Sequence, residues 1–207
     1  EVLSKNGHDV LLWHLEQDFV DKINQTHIHP FLPDINLNKT LQFTASLDDV
    51  YDYGEMLISA VPSQVVRSVL CRFPSAWRKL VVSVSKGIEN ETGMRMSEVI
   101  SDTLNFDTDE IVVLSGPSHA EEVSREFPTT VVAACTDIDH AREVQKIFSN
   151  EYFRVYAGND VVGVEIGGSA KNVIALAAGV CYGLGYGENT MAALVTRGLE
   201  EIIRLGT

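Results

Sequence analysis

Lys171 lies in a stretch that otherwise carries almost no charge, Val161-Val-Gly-Val-Glu-Ile-Gly-Gly-Ser-Ala-Lys-Asn-Val-Ile-Ala-Leu-Ala-Ala-Gly-Val-Cys181. An ammonium among apolar residues is poorly solvated, so it either loses its proton or acquires a partner. Two readings follow. Lys171 either snorkels or pairs with a carboxylate such as Glu165 at a helix–helix contact, or it meets a ligand and handles a proton. A second lysine, Lys86, follows the apolar run Leu80-Val-Val-Ser-Val84 and precedes Gly87. It is either a surface loop lysine or a cation aimed into a crevice. Ser115-Gly-Pro-Ser-His-Ala120 follows a third apolar run. Ser118 with Glu121 three residues on matches a capping box, and the same helix start beside Gly116 would offer N–H groups to an anion. His119 is read either as an acid or base or as a solvent-facing first-turn histidine.

The element that positions Lys171 reads as a helix from about Glu165. Ile166, Ala170, Val173, Ile174, Ala177, Ala178 and Cys181 recur at the spacing of one packed face. The other positions are mostly Gly, Ala, Leu and Val, which predicts a helix buried on all sides. Gly167, Gly168, Ala175 and Ala178 share the side of Lys171. Such small residues admit either another backbone or a ligand.

The elements before it alternate. Val10–Trp13, Leu41–Thr44, Met56–Val61, Leu80–Val84, Ile111–Leu114, Thr129–Ala134 and Phe153–Tyr156 read as strands. Helical stretches lie at Glu16–Asn24, from Ser46, from Ser63 as cap to Cys71, at Gly93–Leu104 and at Asp137–Phe148. Near-continuous Val/Ile/Leu strands between helices predict a mostly parallel sheet covered on both faces. Ligands on such sheets bind at the carboxyl ends of the strands, so the loops at Pro62, Lys86 and Gly116 form the predicted site rim. Glu16 closes Trp13-His-Leu-Glu16, where a dinucleotide fold meets the adenosine ribose. It is read either as a ribose-binding acid favouring NAD over NADP or as an ordinary helix-start carboxylate. After about residue 158 only helices follow, with a glycine-rich turn at Gly183, Gly185 and Gly187. The expected division is therefore 1–158 and 159–207.

Composition bounds the partners. The 207 residues, 45% hydrophobic and 22% charged, describe an ordinary globular protein with a sizeable core. A net charge of −13 argues against nucleic acid or an anionic membrane surface as partner. An anionic small substrate then requires a local positive pocket. Cys71, Cys135 and Cys181 form no Cys-x-x-Cys pair and are read as buried thiols in a reducing cytoplasm. His27 and His29 lie in an expected loop with Pro30 and Pro33 and have no further ligand cluster beside them, so no metal is expected. No run reaches the roughly 18 uncharged apolar residues of a spanning helix, and no membrane insertion is expected.

In order along the chain, Ala60-Val-Pro-Ser-Gln64, Ser85-Lys-Gly-Ile-Glu89, Leu114-Ser-Gly-Pro-Ser118, Tyr152-Phe-Arg-Val-Tyr156, Gly163-Val-Glu-Ile-Gly-Gly-Ser-Ala-Lys-Asn172 and Thr196-Arg-Gly198 form a specific combination. With these, the chain resembles the bacterial-type NAD(P)-dependent glycerol-3-phosphate dehydrogenase family. The resemblance implies a Rossmann-type doubly wound domain followed by an all-helical substrate domain. It also implies interconversion of sn-glycerol 3-phosphate and dihydroxyacetone phosphate with NAD or NADP, for phospholipid synthesis, and a homodimer. It carries over Lys171 as the catalytic proton acceptor and substrate contact, and Lys86 as a contact to substrate and cofactor. Gly116 and Ser118 match substrate positions, Asn172 is a further substrate contact, and Ala120 matches a cofactor position.

The chain also departs from the pattern. No Gly-x-Gly-x-x-Gly loop precedes Glu1, and the later Gly-Asp-Leu and Ser-Arg-Asn segments are not present. Both domains are therefore expected to be truncated, the first lacking its first strand and glycine-rich loop. His119 stands where an aromatic is usual, and Leu15-Glu16 where a histidine or arginine pairing is usual. Two rival readings stand beside the family: another two-domain dehydrogenase with a catalytic lysine, and a nucleotide sensor that binds cofactor without turnover.

Overall fold

A computed structural model describes residues 1–73, 77–105 and 107–206. The chain opens on helix α1 (Val2–Lys5), stopped at Gly7, whose φ of 86° suits glycine. Strand β1 (Leu11–Trp13) leads to helix α2 (Gln17–Thr26), which buries Val20 and Ile23. The expected loop through His27 and Pro33 is instead an antiparallel hairpin, β2 (Ile28–His29) with β3 (Leu32–Asn36). Two prolines hid it from a propensity reading. Pro33 lacks a donor but occupies a short ladder of two strands only, where that loss is tolerated. Strand β4 (Gln42–Thr44) pairs parallel to β1. Helix α3 (Leu47–Tyr53) follows, with the Ser46 hydroxyl accepting from the Asp49 N–H at 3.1 Å as expected.

A separate sheet of five strands carries the core. Its order is β5 (Leu57–Ser59), β6 (Val81–Ser83), β7 (Ile111–Ser115), β8 (Thr129–Ala134) and β9 (Phe153–Gly158). All neighbours are parallel except β7 and β8. Strand side chains alternate, and the core shows it. Val81 and Ile111 pack with Val66, Leu70, Trp77, Met96 and Ile100, whereas Val82 and Val112 pack with Val131, Ala141, Val144 and Phe148. Val66, Leu70, Met96 and Ile100 belong to helices α4 (Val66–Leu70) and α5 (Met96–Leu104); Ala141, Val144 and Phe148 belong to α7 (Ile138–Phe148), and Val131 to β8. The sheet is thus covered on both faces, as its apolar strands predict. Ser63 is not the helix cap read from sequence; it starts a 3₁₀ turn, Ser63–Val65, that follows Pro62. In the doubly wound order 3-2-1-4-5-6, β4 and β1 take places 3 and 2. β5, β6 and β7 take places 4, 5 and 6. No described strand pairs with both β1 and β5, the neighbours of place 1.

Two long helices follow β9. Helix α8 (Val161–Gly183) starts at Asp160, whose carboxylate accepts from the Gly163 N–H at 2.8 Å. Helix α9 (Glu188–Gly206) returns against it after the turn at Gly185, φ 73°. The expected all-round burial of α8 is not what the structure shows. Glu165 is its one buried residue, and Val173 and Leu176 are 69% and 73% exposed. By length and composition α8 is apolar enough to cross a membrane. The cysteine reading also needs correction: Cys135 is buried, Cys181 half-buried and Cys71 exposed, all free thiols.

The packed seam between α8 and α9 depends on Gly198. A Cβ there would lie 2.6–2.9 Å from three carbons of Ile174. Gly198→Ala is therefore expected to destabilise the protein by about 1–3 kcal/mol through overpacking. Denaturant unfolding that shows no loss for this variant would contradict the close seam.

Candidate active site

The site forms where α8 crosses the carboxyl ends of β6 and β7. Strand β6 ends at Ser83, and Gly87 at φ 145° turns the chain away just after Lys86. The half-buried Lys86 points back across the sheet edge. Its Nζ donates to the Gly116 carbonyl at 2.8 Å and to the Ser118 hydroxyl at 3.3 Å. That contact overturns the capping-box reading of Ser118. The cap of helix α6 (Ala120–Ser124) is His119, without a side-chain hydrogen bond, and Ser118 serves Lys86 instead. Gly116 is needed for packing as well, since a Cβ there would lie 2.8 Å from the Thr130 carbonyl oxygen.

Burial lowers the pKa of Lys86, and the nearby charge of Lys171 lowers it further. Lys171 is half-buried midway along α8. Among the described residues neither lysine has an ion-pair partner. Glu165, the partner that the paired-lysine reading suggested, is engaged elsewhere. Its carboxylate accepts from the Arg95 guanidinium at 2.7 Å, the Ser97 N–H at 2.8 Å and the Ser97 hydroxyl at 2.6 Å. Removing one partner of such a buried pair costs roughly 3–5 kcal/mol, because the remaining charge is left without compensation.

The strip of small residues also resolves. A Cβ on Gly168 would lie 2.7 Å from the Ser115 hydroxyl and 3.8 Å from Cγ of Lys86. Here glycine admits a strand end and a lysine stem, so the approach is protein against protein. A narrow cleft beside this crossing is lined by Ser85, Lys86, Gly87, Val113, Ser115, Glu165 and Ser169.

The loop bearing Lys86 is tied down along its length. The Ser85 hydroxyl donates to the Val61 carbonyl at 2.6 Å, and the Gln64 amide donates to the Ile88 carbonyl at 2.8 Å. Arg67 grips Glu89 through two bonds of 2.9 Å, and these bonds hold the Glu89 carboxyl below the usual carboxylate range. The loop ends at Arg95, just before α5.

Of the residues singled out from sequence, the structure brings together Lys86, Gly116, Ser118 and Lys171. Asn172 and Ala120 are exposed. Glu16 is exposed at the start of α2, on the β1–β4 side of the fold. Ser115, Ser169, Arg95 and Ser97 were not anticipated. A glutamate in the first turns of an apolar helix was the available signal, but its partner lies 70 residues away.

The sequence model described as NAD-dependent glycerol-3-phosphate dehydrogenase N-terminus matches residues 1–141, and the corresponding C-terminus model matches 160–207. The chain is 49% identical over 209 residues to a glycerol-3-phosphate dehydrogenase [NAD(P)+] of Lysinibacillus sphaericus, covering 99% of the chain and 62% of that relative. It is 48% identical to the Syntrophotalea carbinolica enzyme of the same description, covering 100% of the chain and 63% of that relative. A crystal structure of glycerol-3-phosphate dehydrogenase from Coxiella burnetii superposes with a TM-score of 0.86 at 32% identity, over 99% of this chain and 63% of that one. A GDP-mannose dehydrogenase from Pseudomonas aeruginosa shares the fold, with a TM-score of 0.64 at 16% identity over 87% of this chain and 47% of that one. The chain thus spans somewhat less than two thirds of the relatives it matches.

Because Lys171 helps to hold down the pKa of Lys86, removing that charge has a defined sign. Lys171→Met is expected to raise the pKa of Lys86, read by NMR titration of the lysine ε positions. An unchanged Lys86 titration would show that the two ammonium groups do not sense each other.

Proposed function

The chain belongs to the NAD-dependent glycerol-3-phosphate dehydrogenase family, and we propose that it interconverts sn-glycerol 3-phosphate and dihydroxyacetone phosphate with NAD or NADP. The observation that carries this reading is the pair of cations, Lys86 and Lys171, close enough for one to lower the other's pKa and without an acidic partner among the described residues. In a chain of net charge −13, two uncompensated lysines at the carboxyl edge of a doubly wound sheet make a local site for an anion. A phosphate ester of a three-carbon ketone supplies that negative charge together with a carbonyl.

Three residues are assigned to a nicotinamide cofactor. Lys86 stands at the end of β6 beside the crevice, Ala120 opens α6 after β7, and Glu16 follows β1, where an acid would accept from ribose hydroxyls. When bound, the reduced cofactor supplies the hydride for C2 of the substrate. Lys171 as an ammonium polarises the carbonyl and gives its proton to the oxygen; in oxidation the neutral amine accepts the hydroxyl proton. The oxygen gains charge during reduction, so a fixed cation there stabilises the transition state more than the ground state. Lys86, fixed by Gly116 and Ser118, adds a second positive charge that holds the substrate. Asn172 and Ser118 supply further polar contacts to it.

The same reading assigns residues 1–158 to the dinucleotide-binding domain and 159–207 to the helical substrate domain. A strand ending in a glycine-rich turn would occupy place 1 between β1 and β5 and bring the pyrophosphate-binding N–H groups. The role is the supply of glycerol 3-phosphate for phospholipid synthesis, in the cytoplasm, by a homodimer. The exposed sides of α8 and α9 are assigned to protein contacts rather than to membrane insertion.

Lys171→Ala in the full-length protein is expected to lower turnover at least about a hundredfold, the lower range for a lost acid–base group. A folded variant that turns over normally sinks the assignment. Glu16 predicts better turnover with NADH than with NADPH. A strong NADPH preference would show that Glu16 does not read the ribose.

A further inference from the structure

The proposed reaction needs Lys86 and Lys171 in one crevice, yet they stand on different elements. Lys86 belongs to the loop that follows β6 and ends at Arg95; Lys171 stands in the middle of α8. A buried contact joins the end of that loop and the start of α5 to the start of that helix. It is the Glu165 carboxylate, held by the Arg95 guanidinium at 2.7 Å, the Ser97 N–H at 2.8 Å and the Ser97 hydroxyl at 2.6 Å.

The donors make this contact directional. Ser97 is the second residue of α5, so its N–H is one that the helix cannot satisfy internally, and it lies at the positive end of the helix dipole. The Arg95 guanidinium is braced from its other side by Glu98, at 2.8 Å. The Glu165 side chain is 5% exposed, so water does not compete for it. Apolar residues of similar volume would stabilise such a site about as well. Three hydrogen bonds to one carboxylate do something apolar packing does not: they fix both the position of α8 along its axis and its rotation about it. Lys171 is six residues further along, about 9 Å at the helical rise. Gly168 lies between them against Ser115 and the Lys86 stem. A turn or slip of α8 at Glu165 therefore reaches Lys171.

We propose that Arg95, Ser97 and Glu165 form a positioning clamp that sets Lys171 against Lys86 by fixing the lysine-bearing helix to the lysine-bearing loop. None of the three touches the reacting atoms; they act through Lys171. The proposal rests on the dehydrogenase reading above.

The test uses the full-length protein, dihydroxyacetone phosphate and NADH or NADPH. Misplacement by about 1 Å costs up to roughly a hundredfold in rate. Glu165→Gln is thus expected to lower kcat by about ten- to a hundredfold with KM for the cofactor unchanged. In a Lys171→Ala background the same change should cost nothing more, because a positioning residue has nothing left to position. A folded Glu165→Gln with wild-type kcat overturns the clamp, as does a loss that multiplies with that of Lys171→Ala. If Glu165→Gln does not fold, Ser97→Ala carries the test. It removes one donor without altering charge. It is expected to lower kcat and, independently of activity, to raise the NMR-titrated pKa of Lys86 as Lys171 recedes. A folded Ser97→Ala with both quantities unchanged refutes the clamp. A wild-type protein without turnover on dihydroxyacetone phosphate would instead refute the dehydrogenase reading and leave the Lys86 titration to decide the clamp.

Discussion

A carboxylate out of reach of water must be met by donors, and the first half of α8 is arranged around that requirement at Glu165. Its oxygens take an arginine, a backbone N–H and a hydroxyl. Those donors come from the end of the β6 loop and the start of α5, so satisfying one charge docks a long helix onto the sheet. The rest of the crossing follows. Gly168 allows α8 to lie against Ser115, and Lys86 passes beneath it to Gly116 and Ser118. Polar chemistry, not apolar burial, sets this junction, for Glu165 is the one buried residue of the helix.

The second consequence is electrostatic. The chain carries 29 acidic and 16 basic residues, and much of its basic complement is paired. Arg67 is held by Glu89 and Asp102, Arg95 by Glu98 and Glu165, Arg197 and Arg204 by glutamates on their own helix. Lys86 and Lys171 form no ion pair among the described residues, and Glu165 beside the Lys86 cleft is taken by Arg95 and Ser97. Burial, and then the neighbouring charge of Lys171, disfavour the charged form of Lys86. Under the proposed function, an anion bound at this site would relieve that cost.

Much of this was legible in the sequence, for local reasons. The strands declare themselves through runs such as Val81-Val82 and Ile111-Val-Val-Leu114, which are buried on both faces. Ser46 marks a helix start through its hydroxyl chemistry. What was misread involved competition between partners distant in sequence. Ser118 has the spacing of a capping box, yet a lysine from another strand end takes its hydroxyl. Glu165 looks like a partner for Lys171 six residues on, yet Arg95 and Ser97 reach it first. The composition of α8 promises burial, and composition does not say which neighbours are there to cover Val173 and Leu176.

The central claim is that Lys171 addresses the reacting oxygen while Lys86 stands beside it. A crystal structure of the full-length protein with dihydroxyacetone phosphate and an unreactive cofactor analogue tests it most directly. The expected result is Nζ of Lys171 within hydrogen-bond reach of the C2 carbonyl oxygen, roughly 2.6–3.2 Å, with Lys86 against the same substrate. A substrate bound away from both lysines, with the crevice between α8 and the β6 loop empty, would contradict it.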